Sequence, residues 1–165
     1  MKNKRGQMKI SFGMIVSIIL IIIFISFAFY ATQKFLGISK SVQIGKFAED
    51  LQNDVDKIWK SSQGSDENQY SLPSKIELVC FIDYGSDAIE NQNIYDELEI
   101  ESYGTKNLFF YPLEASEGTG SKTIKNINLQ EITQTKNPFC IENINGEISI
   151  TVKKDFNEVL VTITN

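Results

Sequence analysis

The only long apolar run of the sequence is Ile10–Gln33, ISFGMIVSIILIIIFISFAFYATQ, which has 24 residues and no charge. As an α-helix it would extend about 36 Å at ~1.5 Å per residue, enough to cross a bilayer core of roughly 30 Å. A cleaved secretory signal has an apolar region of only about 7–15 residues, followed by small residues at the cut. This run is longer and passes into Tyr30, Lys34 and Phe35 without such a site. The sequence therefore predicts a retained transmembrane helix.

The charges on either side of this helix predict its orientation. Lys2, Lys4, Arg5 and Lys9 precede it, and all 21 acidic residues lie beyond position 48. From Gly37 onward, 11 lysines against 21 acidic residues give a formal charge of −10. The positive-inside rule places the N-terminus in the cytoplasm and the remaining 129 residues outside the cell membrane. An acidic exterior domain repels phosphate, so we expect the membrane and no nucleic acid among the partners.

Two cysteines, Cys80 and Cys140, fall in the exterior part, each within a short apolar run (ELVCFID and NPFCIEN). Outside the cytoplasm a cysteine pair favours a disulfide over a metal site or a redox couple. The loop it would close, of about 60 residues, corresponds to roughly 4 kcal/mol of stabilisation. Two buried free thiols are the alternative, because the sequence does not show whether the two Cα atoms come close enough to bond.

A second helical pattern follows the apolar run, over residues 37–64. Its apolar residues recur mostly three or four positions apart, at Ile38, Val42, Phe47, Leu51, Val55 and Ile58. Charged side chains occupy the other positions, which is typical of a soluble helix with one apolar stripe. We expect the helix–sheet interface to contain Phe47, Leu51, Val55, Ile58 and Trp59. The polar stretch SSQGSDEN, residues 61–68, predicts the end of the helix and a loop.

Beyond Tyr70 the pattern predicts β-structure. The candidate strands are SKIELVCFID, YDELEIES, NLFFYPL and, more weakly, GSKTIKNINLQEI. Residues 84–97 are polar and predict a loop or a short helix. Near the C-terminus, FCIENINGEISITV places Asn145-Gly146 between two β-prone runs, which predicts a two-residue hairpin turn. The following EVLVTIT would complete a three-stranded meander.

These patterns predict an α+β fold, in which a long N-terminal helix, transmembrane and then amphipathic, packs on an antiparallel β-sheet ectodomain. The helix is needed because a single sheet must have a cover to bury one face. The expected organisation is a leader peptide 1–6, a transmembrane helix 7–36, an amphipathic extension 37–64 and a β-rich extracytoplasmic domain 70–165.

The sequence contains no arrangement of residues that predicts catalysis. The sequence has no histidine, which is the commonest general base and metal ligand. The acidic clusters Asp96–Glu101 and Ser65–Asn68 lack the spacing of a calcium loop. On a strand, Glu97, Glu99 and Glu101 would simply form one solvated face. The sequence GTGS is too short for a phosphate loop and lies outside a βαβ unit. We therefore expect no enzymatic activity, no metal and no cofactor.

One motif stands just ahead of the apolar run. Lys4-Arg5-Gly6-Gln7, followed at once by that run, resembles the class III signal of archaeal type IV pilin-like proteins. In that family a basic leader stays in the cytoplasm and a membrane prepilin peptidase cuts after the glycine. The resemblance covers the N-terminal third of the chain and implies a cut between Gly6 and Gln7. It further implies a cell-surface filament subunit that self-associates through its N-terminal helix.

The chain departs from the pilin pattern at two positions. Ser11 would be the fifth residue of the mature chain, where bacterial pilins carry a glutamate. Lys9 would remain as a charge near the start of the mature helix. Gly13 and Ser17, four residues apart, would allow helices to approach closely.

The alternative function is a single-pass anchored surface protein with an adhesion or binding ectodomain, in which KRGQ is only a basic flank. An exterior enzyme has no supporting residues.

Overall fold

A computed structural model of the chain describes residues 11–87, 90–102, 105–116 and 118–165. The predicted cleavage site, Gly6 and Gln7, lies outside these residues. The fold is α+β, as predicted, with a long N-terminal helix packed on antiparallel sheets. The chain divides into an N-terminal unit that ends at Ile38 and a compact domain, Ser39–Asn165.

The elements follow one another in this order along the chain. The helices are α1 (Phe12–Lys60), α2 (Gln92–Ser102) and α3 (Leu129–Ile132), with a 3₁₀ turn at Leu113–Ser116. The strands are β1 (Gly64–Ser71), β2 (Leu78–Phe81), β3 (Leu108–Tyr111), β4 (Ser121–Lys122), β5 (Phe139–Glu142), β6 (Glu147–Lys154) and β7 (Thr162–Thr164). They form two antiparallel sheets where one was predicted: sheet A in the order β1-β6-β7 and sheet B in the order β4-β3-β2-β5.

The second half of α1 covers these sheets with one apolar stripe. Its buried residues are Ile44, Phe47, Ala48, Leu51, Val55 and Ile58, spaced one helical turn apart or less. Four of the five residues expected in the helix–sheet interface are among them. Trp59 differs, being 37% exposed. Since successive helix positions turn by about 100°, Trp59 is rotated away from Ile58 toward the edge of the stripe.

Sheet B is buried on both faces because successive strand residues point to opposite sides. Val79 and Phe81 belong to the large core that contains the α1 stripe. Cys80 and Phe109 belong to a second apolar cluster that also contains Leu98 of α2. Sheet B is thus a central layer between the core of α1 and the cluster of α2.

The prediction of a strand for YDELEIES is wrong, because this segment belongs to the helix α2. Tyr95 and Leu98, three residues apart, are buried, whereas Ile100 is 75% exposed. A strand would instead place Leu98 and Ile100 on the same face. The helical spacing also separates the carboxylates, so that Glu97 and Glu99 do not share the solvated face expected of a strand.

The loop predicted for SSQGSDEN is also corrected, since β1 begins within it at Gly64. This strand pairs with β6 along its whole length, from Gly64 opposite Lys154 to Ser71 opposite Glu147. Tyr70 is the one residue of β1 that is buried. The strand therefore lacks an apolar alternation, and backbone pairing with β6 defines it. The weak strand candidate GSKTIKNINLQEI contributes only β4 and the short α3.

The turn at Asn145-Gly146 forms as predicted and is closed by one antiparallel bridge between Ile144 and Glu147, but it does not pair β5 with β6. Both residues have positive φ, 57° and 91°, as a type I′ turn requires. Ile144 and Glu147 exchange backbone hydrogen bonds of 2.9 and 3.1 Å across it. However, β5 before the turn belongs to sheet B and β6 after it to sheet A. The turn is a corner between sheets, and of the predicted meander only the β6–β7 pairing is present.

We expect opposite effects from alanine at two glycines. A Cβ on Gly146 would lie 3.1 Å from the Leu72 carbonyl oxygen, and its φ is +91°. Gly146→Ala should therefore lower the free energy of unfolding by about 1–2 kcal/mol. At Gly45, within α1, a Cβ meets nothing within 4 Å, so Gly45→Ala should raise it by about 0.5–1 kcal/mol. Urea unfolding of the full chain in detergent measures both. A shift in the same direction for the two variants would contradict the prediction.

Candidate functional site

The candidate functional site is the segment 11–36, which consists of Ser11 and the mostly apolar first part of α1, and all of its residues are exposed. One 18-residue window of this helix has a mean hydropathy of 2.9, and none of it is buried. The core helix of a soluble domain would be mostly covered by its own chain. Because Phe12 is 82% and Phe35 71% exposed, the fold supplies no such cover. The helix is long and apolar enough to cross a membrane.

Three hydroxyl groups inside this segment, those of Ser17, Ser26 and Thr32, are satisfied within the helix. Ser17 Oγ donates to the Gly13 carbonyl oxygen at 2.9 Å. Ser26 Oγ donates to the carbonyl oxygen four residues earlier at 2.8 Å, and Thr32 Oγ1 does the same at 2.9 Å. In hydrocarbon every polar group needs a partner inside the protein. These three side chains therefore do not oppose burial of the segment in lipid.

The predicted disulfide is present and links Cys80 to Cys140. The two residues are register partners on neighbouring strands β2 and β5, and their Cα atoms lie 4.0 Å apart. The disulfide lies in the second apolar cluster, beside Leu98 of α2. It thus joins β2 to the edge strand β5 of sheet B, on the face that α2 covers.

Polar contacts fix the second half of α1 to the domain. Gln52 Oε1 accepts a 2.8 Å hydrogen bond from the backbone N–H of Lys125. Asp56 Oδ1 accepts another, of 2.9 Å, from Asn126 Nδ2. At the end of the helix, Lys154 Nζ donates to two backbone carbonyl oxygens, those of Trp59 and Ser61, at 2.8 Å each. The last contact places a cation at the helix C-terminus, which the helix dipole favours.

Tyr70 of β1 forms a further contact with α1. Its hydroxyl donates a 2.6 Å hydrogen bond to Asp54 Oδ2, and the residue is only 7% exposed. Burial raises the pKa of the Tyr70 phenol well above its ordinary value, and the hydrogen bond to Asp54 raises this pKa further. The fold therefore holds the phenol in its neutral form.

This raised pKa predicts a loss of stability at high pH. Above about pH 10 the Tyr70 phenol ionises in the unfolded chain but stays protonated in the fold. The free energy of unfolding should then fall by about 1.4 kcal/mol per pH unit from this group. Below pH 10 its contribution is fully present. Tyr70→Phe should unfold with a shallower pH dependence between pH 10 and 11, measured by urea unfolding. Equal slopes for Tyr70→Phe and the unaltered chain would contradict this expectation.

Two open clefts lie on the surface of the domain. One, of about 510 Å³, has Lys40, Lys75 and Glu147 as its charged lining residues. The other, of about 420 Å³, is lined by Glu97, Ile100, Glu101, Leu113 and Glu114. Within the part of the chain that the structure describes, no group of three or more His, Cys, Asp or Glu side chains is arranged to hold a metal ion.

The structure brings together one set of predicted residues and leaves another apart. The two cysteines meet, and the α1 stripe meets both sheets, whereas Trp59 stays at the edge. The contacts of Gln52, Asp54 and Asp56 were missed, because their partners lie far away in the sequence and carry no shared motif.

No known protein family, curated protein or solved structure matches this chain.

Proposed function

We propose that this chain is a pilin-like structural subunit of an archaeal cell-surface filament. It is processed after Gly6 by a prepilin peptidase and assembled through its apolar N-terminal helix. The observation that carries the proposal is the uncovered segment 11–36. An apolar surface of this length needs a cover outside its own chain. The bilayer covers it before assembly, and other copies of the helix cover it afterwards.

Two further features support this function. The basic leader and the Gly6-Gln7 junction have the residue types and the position of the class III processing signal they resemble. The disulfide between Cys80 and Cys140 suits a domain that works outside the cytoplasm. A surface subunit needs such a durable domain, and it needs no catalytic residues.

The same segment also suits an anchored surface protein that never polymerises. In that case the helix stays in the bilayer, Gly6 is an ordinary residue of the basic flank, and the ectodomain acts as an adhesion or binding module. Processing and polymerisation therefore separate the two functions.

The deciding experiment is N-terminal mass analysis of protein from the native cells. The proposal expects a chain that starts at Gln7 and a Gly6→Val variant that stays uncut. Gly13→Val is the matched control, because a Cβ there meets only Ser11 Oγ, at 3.8 Å, and it should be cut normally. A mature chain that starts at Met1 or Lys2 would overturn the proposal. Electron microscopy should show filaments that disappear in Gly6→Val cells, whereas a cut chain without filaments would indicate a processed relative that does not polymerise and would contradict the assembly part of the proposal.

A further inference from the structure

We propose that one end of the ectodomain is a membrane-contact surface that binds the phosphate headgroups of a bilayer. This proximal surface consists of Lys40, Lys75 and the turn Ile144–Gly146. The inference rests on the apolar segment lying in a bilayer, which is part of the proposed function. It does not depend on cleavage at Gly6 or on polymerisation.

The length of the connecting chain limits how far Lys40 can lie from the bilayer. Only four residues lead from Leu36, at the end of the exposed apolar segment, to Lys40. Four residues span at most about 14 Å even when fully extended. The headgroup region is about 5–7 Å deep on each side of the hydrocarbon. Lys40 therefore stays within about 14 Å of Leu36, a distance comparable with the headgroup depth and the length of a lysine side chain combined.

The fold brings a second lysine and the sheet corner to the same place. Lys75 and the Asn145-Gly146 turn line one cleft together with Lys40, and Glu147 is the single acidic residue in that lining. Two lysines against one glutamate make this lining positive, on a domain whose formal charge is strongly negative. Phosphate headgroups are the complementary partner at this distance from the membrane.

An exposed apolar side chain adjoins the cleft that these lysines line. Ile144, at the start of the turn, is 66% exposed. The hydrogen bonds between Ile144 and Glu147 hold the corner in place, so the isoleucine is presented on a fixed turn. A surface that combines basic and apolar side chains is typical of protein that lies at the headgroup boundary. The apolar groups enter the interface while the long lysine side chains reach the phosphates.

The test measures how close each end of the domain lies to lipid. The full chain, carrying Trp59→Phe, is reconstituted in phosphatidylcholine vesicles that contain a lipid with a nitroxide on its headgroup. A single tryptophan is then introduced as Ile144→Trp or, as the matched control, Val159→Trp. Val159 is 76% exposed and follows β6, whose eight residues span about 26 Å from the corner. We expect several-fold stronger quenching at position 144, and equal quenching at the two positions would overturn the proposal.

A second experiment tests whether the positive charges of Lys40 and Lys75 bind anionic headgroups. Adding phosphatidylglycerol should increase quenching of the Ile144→Trp chain, and Lys40→Glu with Lys75→Glu should abolish that increase. Lys106→Glu, at an exposed lysine outside the cleft, is the control and should leave the increase intact. No effect of the paired lysine change would exclude headgroup binding by these residues.

Protein concentration separates lipid from a second copy of the chain. Quenching by headgroups should persist when the protein-to-lipid ratio is lowered tenfold. Loss of quenching on dilution would assign the proximal surface to copy–copy contact and overturn the proposal. A chain that is not cut after Gly6 would contradict the proposed pilin function, but it would leave the quenching results unchanged.

Discussion

Removal of the disulfide is expected to lower the free energy of unfolding of the domain Ser39–Asn165 by about 4 kcal/mol. The bond between Cys80 and Cys140 closes a loop with a sequence separation of 60, and the loss reflects the freedom that this loop regains in the unfolded chain. Cys80→Ala with Cys140→Ala is the suitable variant, because both side chains belong to an apolar cluster. Urea unfolding of the full chain in detergent, followed by Trp59 fluorescence, measures the change.

Reduction of the unaltered chain provides the control for this variant. Dithiothreitol should destabilise the unaltered protein by a similar amount and should have no effect on the double alanine variant. A loss below about 1 kcal/mol in both experiments would show that the closed loop contributes little. Equal mobility of the reduced and non-reduced protein on a denaturing gel would contradict the bond itself.

Phe47→Ala is expected to cost about 3–5 kcal/mol, the usual range for removing a buried aromatic ring. Phe47 is 2% exposed, and its ring meets two other rings edge-on. The centroids lie 5.2 Å from Tyr70 and 5.5 Å from Phe110. Because Tyr70 belongs to sheet A and Phe110 to sheet B, this one side chain on α1 contacts both sheets.

The matched control for Phe47 is a phenylalanine at the surface. Phe156 is 68% exposed, so Phe156→Ala should change the free energy of unfolding by no more than about 0.5 kcal/mol. Thermal and urea unfolding of the two variants, monitored by near-ultraviolet circular dichroism, give the comparison. Similar losses for the two substitutions would show that Phe47 does not join the sheets.

The sequence predicts the parts of this fold that carry a strong periodicity. The apolar run and the stripe from Phe47 to Ile58 predict α1, and the runs around Cys80 and Phe109 predict β2 and β3. β1 was missed because its side chains are polar and its stability comes from pairing with β6. α2 was mistaken for a strand because alternating glutamates and apolar residues imitate a period of two over a few residues.

The sequence also predicts some features of the candidate site and not others. Composition alone identifies the apolar segment, since length and lack of charge decide whether a helix can cross a bilayer. The contacts that fix α1 to the domain depend on residues such as Gln52 and Lys125, 73 positions apart. The proximal surface is likewise assembled from Lys40, Lys75 and Ile144. No local pattern brings such residues together, because only the tertiary fold makes them neighbours.

The cross-strand disulfide also limits how far the domain can be stretched. A pull applied between Ser39 and Asn165 would lengthen an unlinked chain by about 3.4 Å for every residue released. The sequence separation of 60 between Cys80 and Cys140 withholds roughly 200 Å of that length. The strand pair β2–β5 would stay joined at this point even after sheet A had peeled away. Under mechanical load the linked domain would thus extend by only about half of the length that the unlinked chain would reach.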